Sequence, residues 1–165
     1  MIDKNNINHI IQEYFNRNNV LINHQIDSYN DLIDNILPEI IANIFPIKIN
    51  VKKHDLDSII LSINNIRLER PTYTEKNGCS RVMTPNIARL KNYTYSLQVI
   101  VDISINNKID KNSEIYELKN IILCKVPIVV RSKYCVYKED IFNECKYDTG
   151  GYLIINGNEK VVITQ

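Results

Sequence analysis

The sequence has almost no net charge. Its 20 lysines and arginines nearly balance its 19 aspartates and glutamates, which gives a formal net charge of +1 at pH 7. A protein that binds nucleic acid on its own usually shows a strong excess of basic residues. The composition therefore provides no global electrostatic attraction, and any contact with nucleic acid is expected to be local.

Long apolar runs and secretory signals are missing as well. No apolar run reaches the roughly 18 residues that a membrane-spanning helix requires. Residues 1–6 do not show the charged and then apolar pattern of a signal peptide. These absences predict an intracellular protein in a reducing compartment, with no membrane as a partner.

Cysteine is present, but not in a metal-binding or disulfide pattern. The four cysteines are far apart and form no Cys-x-x-Cys pair, so neither a zinc site nor a disulfide framework is predicted. Isolated thiols of this kind are commonly core residues, and we expect them to be buried or half-buried. They are Cys79, Cys124, Cys135 and Cys145.

Common catalytic motifs are absent too. The sequence contains no Gly-x-Ser-x-Gly, no His-Glu-x-x-His and no Asp-x-Asp-x-Asp cluster. Residues 150–160 are rich in glycine, but no Gly-Lys-Ser/Thr follows and the segment begins a strand rather than a helix, which excludes a phosphate-binding loop. No residue of this chain is predicted to be catalytic, and no metal or small-molecule substrate of its own is predicted.

The first 45 residues are predicted to form a helical segment. Apolar residues recur with helical spacing between Ile7 and Phe15, which indicates an amphipathic helix. A second helix is expected to begin near Asp27 or Ser28, where a short polar side chain can cap free backbone amides. Pro38 lies inside its apolar run, so this helix either kinks there or consists of two helices.

From residue 46 onward the hydrophobic period changes from 3.6 to 2, which indicates a β-rich segment over 46–165. Strands are predicted at 47–51, 57–69, 95–105, 115–118 and 121–130, with a bulge or tight turn near Asn64 and Asn65. Residues 70–79 and 106–113 are expected to be loops, and Thr84 to cap a short helix that Pro85 begins. The predicted fold class is α+β, with N-terminal helices packed on a mixed, mostly antiparallel sheet.

The strand predicted at 121–130 carries two signals. It is apolar nearly throughout, as a strand covered on both faces should be. Pro127 interrupts it, and proline within a sheet favours an edge position or a bulge because it cannot donate a ladder hydrogen bond.

The last 21 residues are predicted to form a β-hairpin. Gly150 and Gly151 permit a turn with positive φ. Asn156 and Gly157 form the strongest short-range hairpin signal, because a type I′ turn needs positive φ at both central residues. The two strands are expected at 152–155 and 160–164.

The amino-acid sequence of this hairpin resembles that of a known family. An acidic residue followed by Gly-Gly-aromatic and then Ile-Asn-Gly-x-Glu-Lys-Val is similar to the second-largest subunit of multisubunit DNA-directed RNA polymerases, in the eukaryotic, archaeal and large-DNA-virus branch. Four further stretches occur in the same order as in that family. They are residues 24–33, 83–96, 101–103 and 125–135.

The resemblance implies an N-terminal part of such a subunit, with residues 46–165 as the first, incomplete part of the protrusion domain beside the DNA cleft. The implied partners are the other polymerase subunits, chiefly the largest, and the DNA template. The family's metal, zinc and nucleotide sites come from segments outside this sequence, so the chain would be an enzyme only as part of a nucleotidyltransferase. The implied location is the nucleus or cytoplasm, or the virion if the source is a large DNA virus. The alternative is a stand-alone, non-catalytic module that binds polymerase partners or nucleic acid.

Five cations are candidates for contact with nucleic acid or a partner. Two precede a tyrosine-rich segment, two follow a predicted buried strand and one lies on the hairpin, and each can contact a phosphate. The simpler alternatives are a solvated loop for the first pair and a salt bridge that closes the strand end for the second. The candidates are Arg89, Lys91, Arg131, Lys133 and Lys160.

Overall fold

A computed structural model describes residues 4–16, 20–50, 58–109, 112–136, 145 and 147–163. The chain combines helices with a four-stranded sheet in which every described strand pair is antiparallel. The predicted α+β class is therefore confirmed. Residues 51 and 57, at the ends of two predicted strands, and residue 164, the end of the predicted returning strand, lie outside the described residues.

Helix α1 (Lys4–Phe15) follows the predicted helical period, but the described residues do not cover its apolar side. From Ile7 to Phe15 its large apolar side chains are 41–63% exposed. This apolar stripe is therefore not packed within the described chain. A helix this short is also marginal by itself in water, so it gains little stability on its own.

Helix α2 (Asn23–Asp31) begins earlier than the sequence predicts, and neither Asp27 nor Ser28 caps it. The carbonyl of Ile22 accepts hydrogen bonds from Gln25 N at 3.0 Å and Ile26 N at 3.1 Å. Ile22 also packs against Gly151, with its Cβ 3.0 Å from where a Cβ on Gly151 would lie. A tertiary contact, rather than a side-chain cap, coincides with the start of the helix.

A π-helical segment (Leu32–Ile36) joins α2 to α3 (Leu37–Ile44). Leu37 N donates to the carbonyl of Leu32, five residues earlier, as a π turn requires. Pro38 follows in the first turn of α3. A proline ring crowds the preceding turn of a regular α-helix and removes a donor, so the wider turn directly before Pro38 provides space that a continuous α-helix would not.

The main sheet has the strand order β1-β2-β5-β6. Its strands are β1 (Ile47–Asn50), β2 (Ser58–Glu69), β5 (Ser96–Ile109) and β6 (Asn112–Pro127). The register of β2 against β5 shifts between Ile63 and Asn65, where the sequence predicts a bulge. The loop prediction for 106–113 is wrong for residues 106–109 and 112–113, which belong to β5 and β6, while 110–111 lie outside the described residues. Asn106 and Asn107 pair with β2 on one side and β6 on the other.

Strand β6 is an edge strand, as Pro127 at its last position indicates. It is one continuous strand rather than two, and it is not covered on both faces. Among the described strands it pairs only with β5, and Ile122 and Leu123 are 52% and 41% exposed. Its register shifts near Leu123 and Asn120, and such bulges disfavour further edge pairing.

A second, smaller hairpin occupies the stretch predicted as loop. Strands β3 (Thr72–Thr74) and β4 (Ser80–Val82) pair antiparallel, so the loop prediction for 70–79 is wrong in part. The turn between them has Lys76 and Asn77 at its centre and is closed by Gly78 N, which donates to the carbonyl of Glu75 at 2.9 Å; Gly78 has φ +82°. The short helix α4 (Pro85–Leu90) follows, and Thr84 Oγ1 caps it as predicted by accepting Ile87 N at 3.3 Å.

The core lies between the helices and the face of the sheet near the start of β5. Ile41 from α3 belongs to the same buried cluster as Leu97 and Val99 from β5. A second cluster joins Ile33 of the π-helical segment to Val129, just after β6. None of the helices in the described ranges is both long and apolar enough to cross a membrane.

The cysteines differ from expectation in their exposure. Only Cys135 is buried, while Cys79, Cys124 and Cys145 are exposed. Cys79 lies in the turn of the β3–β4 hairpin and Cys124 on the edge strand β6, so neither occupies a core position.

Candidate nucleic-acid and partner interface

The C-terminal hairpin, β7 (Leu153–Ile155) and β8 (Asn158–Lys160), docks on the segment that follows α4. Gly157 N donates to the carbonyl of Tyr93, and Tyr95 N donates to the carbonyl of Ile154, each at 3.0 Å. Asn156 and Gly157 have φ of +50° and +78°, the positive values that the predicted turn needs. The returning strand begins and ends earlier than predicted: it spans Asn158–Lys160, and residues 161–163 are not in a strand. The strand prediction for 161–163 is therefore wrong.

Gly150 and Gly151 lie where two backbones approach closely. Gly151 N donates to the carbonyl of Val130 at 3.0 Å, and Val130 N donates to the carbonyl of Tyr152 at 2.8 Å. Both glycines have positive φ, of +76° and +83°. A Cβ on Gly150 would lie 2.6 Å from the Val130 carbonyl oxygen, so this position requires glycine for space as well as for conformation.

Arg89 connects α4 to the hairpin. Its Nε donates to Glu159 Oε1 at 2.7 Å, and its Nη2 donates to the Tyr152 hydroxyl and lies 3.6 Å from Asp148 Oδ2. The Tyr152 hydroxyl in turn donates to Asp148. Burial, and then the bond to Asp148, raises the pKa of Tyr152 above its ordinary value. The charge of Arg89 is therefore matched by two carboxylates of its own chain.

Lys133 is also paired within the fold. Its Nζ donates to both oxygens of Asp34 on the π-helical segment, at 2.8 and 2.9 Å, and its backbone N donates to Asn30 Oδ1 at 3.1 Å. The Tyr134 hydroxyl donates to the same carboxylate. These contacts fasten the loop after β6 to the helices, which is the salt-bridge alternative for this residue.

The Asp34 contacts shift two pKa values. The hydrogen bond from Lys133, followed by that from Tyr134, holds the pKa of Asp34 below its ordinary value of 3.8. Burial, followed by the hydrogen bond to Asp34, raises the pKa of Tyr134 to about 12. Across the neutral range Asp34 is thus ionised and Tyr134 is protonated.

We expect Asp34→Asn to lower the thermal midpoint, Tm, at pH 7. The difference in Tm between this variant and the natural chain should become smaller in acid. Because folding lowers the pKa of Asp34, its ionised form stabilises the fold above the unfolded pKa, and this contribution is lost as the pH falls through the folded pKa. The measurement is Tm by circular dichroism from about pH 7 to about pH 3. Lys133→Met should reproduce the pattern, whereas a pH-independent difference would contradict it.

The other three predicted cations have separate surroundings. Lys91 Nζ lies 4.2 Å from the centre of the Tyr73 ring on the β3–β4 hairpin. Arg131 has φ +67° and its Cβ and Cγ face Gly150. Lys160 is exposed at the end of β8. The structure therefore distributes the five candidate cations over different contacts rather than placing them in one patch.

Several residues of these contacts were not singled out from the sequence as partners. The carboxylates of Asp34, Asp148 and Glu159 pair with the cations, and Tyr73 lies under Lys91. Of these residues, only Asp148 and Glu159 could have been noticed in the sequence, because they are the acidic positions of the hairpin motif. Among the residues that the structure describes, no group of three or more His, Cys, Asp or Glu side chains could hold a metal ion.

Comparison with known proteins relates this chain to one family. A family model described as RNA polymerase beta subunit matches residues 20–165. The chain is 34% identical to DNA-directed RNA polymerase II subunit 2 of Arabidopsis thaliana, over 94% of this chain and 15% of that protein. It is 32% identical to the probable DNA-directed RNA polymerase II subunit RPB2 homolog of Invertebrate iridescent virus 3, over 94% of this chain and 14% of that protein.

An archaeal relative is covered to a greater extent. The chain is 30% identical to DNA-directed RNA polymerase subunit Rpo2N of Methanocaldococcus jannaschii, over 94% of this chain and 32% of that protein. The chain thus spans about a seventh of the eukaryotic and viral relatives and about a third of the archaeal one. The matched parts are the N-terminal regions of those subunits.

Proposed function

The chain belongs to the RNA polymerase beta subunit family, and we propose that it contributes to DNA-templated RNA synthesis as the N-terminal part of a polymerase's second-largest subunit. The observation that carries the proposal is the match over residues 20–165. The contacts support it, because three of the stretches that resemble the family, 83–96, 125–135 and 148–160, bond directly to one another.

We further propose that the role of this part is architectural. Residues 46–165 would form the first part of the protrusion beside the DNA cleft, and residues 1–45 the helical segment preceding it. The chemistry of nucleotide transfer, with its metal and nucleotide sites, would lie in other parts of the polymerase. In support of this, Arg89 and Lys133 are engaged by carboxylates of their own chain and hold the fold together.

The proposed partners are other polymerase subunits, chiefly the largest one, and the DNA template. The apolar stripe of α1, from Ile7 to Phe15, is exposed in the described chain and is a suitable surface for subunit packing. The proposed location is that of the polymerase itself, in the nucleus or cytoplasm, or in the virion of a large DNA virus.

The test is immunoprecipitation from the source with an antibody against residues 147–163. We expect the precipitate to contain the largest polymerase subunit by mass spectrometry and to incorporate nucleotides on a DNA template. A polypeptide that precipitates alone, with no other polymerase subunit and no RNA synthesis, would contradict the proposal and favour a stand-alone binding module. An antibody pre-absorbed with the same peptide is the control.

A further inference from the structure

The β3–β4 hairpin and the turn after α4 together present cations beside tyrosine rings. We name this region the β3–β4 surface. In it, Tyr73 lies directly opposite Arg81 in the strand pair, and Lys91 Nζ lies 4.2 Å from the centre of the Tyr73 ring. The surface consists of Arg70, Tyr73, Lys76, Arg81, Lys91 and Tyr93.

The two tyrosine rings are neighbours and one of them is open to solvent. The Tyr73 and Tyr93 ring centres are 6.4 Å apart with an interplanar angle of 40°. Tyr93 is 40% exposed. Its backbone N donates to the carbonyl of Ala88, and its carbonyl accepts from Gly157 N. Its ring is therefore available while its backbone is held, which is the arrangement that a stacking platform needs.

The cations of this surface are mostly not neutralised by the described chain. Arg81 Nε lies 3.2 Å from Glu75 Oε1, and among the described residues this is the one ion pair that a cation of this surface forms. Lys91 contacts a ring instead of a carboxylate. Residues 69–81 and 91–93 contain four cations and two carboxylates, Glu69 and Glu75, in a chain whose overall charge is +1. A local excess of this kind is what a nearly neutral protein needs to contact phosphates.

We propose that the β3–β4 surface binds a single strand of nucleic acid, with backbone phosphates on Lys91, Lys76 and Arg81 and a base stacked on Tyr93. The cation–π contact with Tyr73 holds Lys91 in place, so little side-chain freedom is lost when a phosphate binds. Single strands, unlike acidic peptides, supply aromatic faces as well as charge. The proposal rests on the role in transcription proposed above and names a contact surface for it.

The experiment is a fluorescence anisotropy titration of the full chain with a fluorescein-labelled oligothymidylate at several salt concentrations. We expect Lys91→Ala to reduce the slope of log affinity against log salt by about 0.7, the value for one phosphate contact on a single strand. Tyr93→Ala should weaken binding about tenfold with little change in slope, and Tyr93→Phe, which keeps the ring, should retain the affinity. Lys48→Ala, which removes an exposed charge from β1, is the matched control and should leave slope and affinity near those of the natural chain.

The other outcomes separate this surface from the proposed function. If the natural chain binds but Lys91→Ala and Tyr93→Ala behave like Lys48→Ala, the surface is wrong and the transcription role stands on its own test. A duplex that binds more tightly than the single strand, or polyglutamate that competes as well as unlabelled oligonucleotide, would overturn the stacking assignment. Absence of binding at low salt would overturn the surface too, while co-precipitation with polymerase subunits still decides the function.

Discussion

Gly150→Ala is expected to lower the free energy of unfolding by about 3 kcal/mol. Gly150 has φ +76°, which costs an L-residue about 1–2 kcal/mol. A Cβ there would also lie 2.6 Å from the Val130 carbonyl oxygen and 2.9 Å from Arg131 Cβ. Since the first of these atoms is backbone, the chain itself must move, at a further cost of about 1–3 kcal/mol. The measurement is urea denaturation followed by circular dichroism.

The matched control is Gly78→Ala. Gly78 has φ +82°, but nothing lies within 4 Å of the position that its Cβ would take. This variant meets only the conformational cost, so we expect a loss of about 1 kcal/mol. Equal losses in the two variants would mean that the close approach between Gly150 and Val130 contributes nothing, and the description of this junction would be wrong.

Arg89→Ala is expected to destabilise the chain by about 2 kcal/mol. The substitution leaves Asp148 and Glu159 near each other without their shared cation, and it removes the donor to Tyr152. The side chains of Arg89 and Asp148 are only 24% and 21% exposed, so water compensates the loss incompletely. The contact with Glu159, which is about half exposed, contributes less.

A double-mutant cycle of Arg89→Ala with Asp148→Ala measures this contact directly, and we expect a coupling energy above about 0.5 kcal/mol. Lys160→Ala, an exposed cation on the same hairpin, should change stability by less than about 0.5 kcal/mol and is the control. Because carboxylates of the chain already engage Arg89, its loss should appear in stability rather than in the salt dependence of nucleic-acid binding. A change in that salt slope without a loss of stability would instead support the predicted phosphate contact.

The errors of sequence-based prediction in this chain share a cause. Residues 106–109 look like a polar loop because they contain two asparagines and a lysine, yet they continue β5, since β2 and β6 pair with them on both sides. Residues 121–127 are apolar as a doubly covered strand would be, yet they form an exposed edge. In both cases the neighbouring strands, which are distant in sequence, determine the outcome.

The sequence by itself determined two things. One is the set of structural features that depend only on neighbouring residues, and the other is the family to which the chain belongs. Hydrophobic period and turn chemistry are properties of a few adjacent residues, so the strand β2 with its bulge near Asn65, the Thr84 cap and the Asn156–Gly157 turn could all be predicted. The membership of the RNA polymerase beta subunit family was visible in the same way, because its motifs are short and contiguous.

Only the tertiary structure decided what the candidate cations do. Lys133 and Asp34 are 99 residues apart in sequence, and Arg89 and Glu159 are 70 apart. A charge pattern along the chain does not reveal which carboxylate will meet which cation, because that depends on how the helices and the C-terminal hairpin pack on the sheet. That packing pairs Arg89 and Lys133 with carboxylates and leaves Lys91 on the ring of Tyr73, facing solvent.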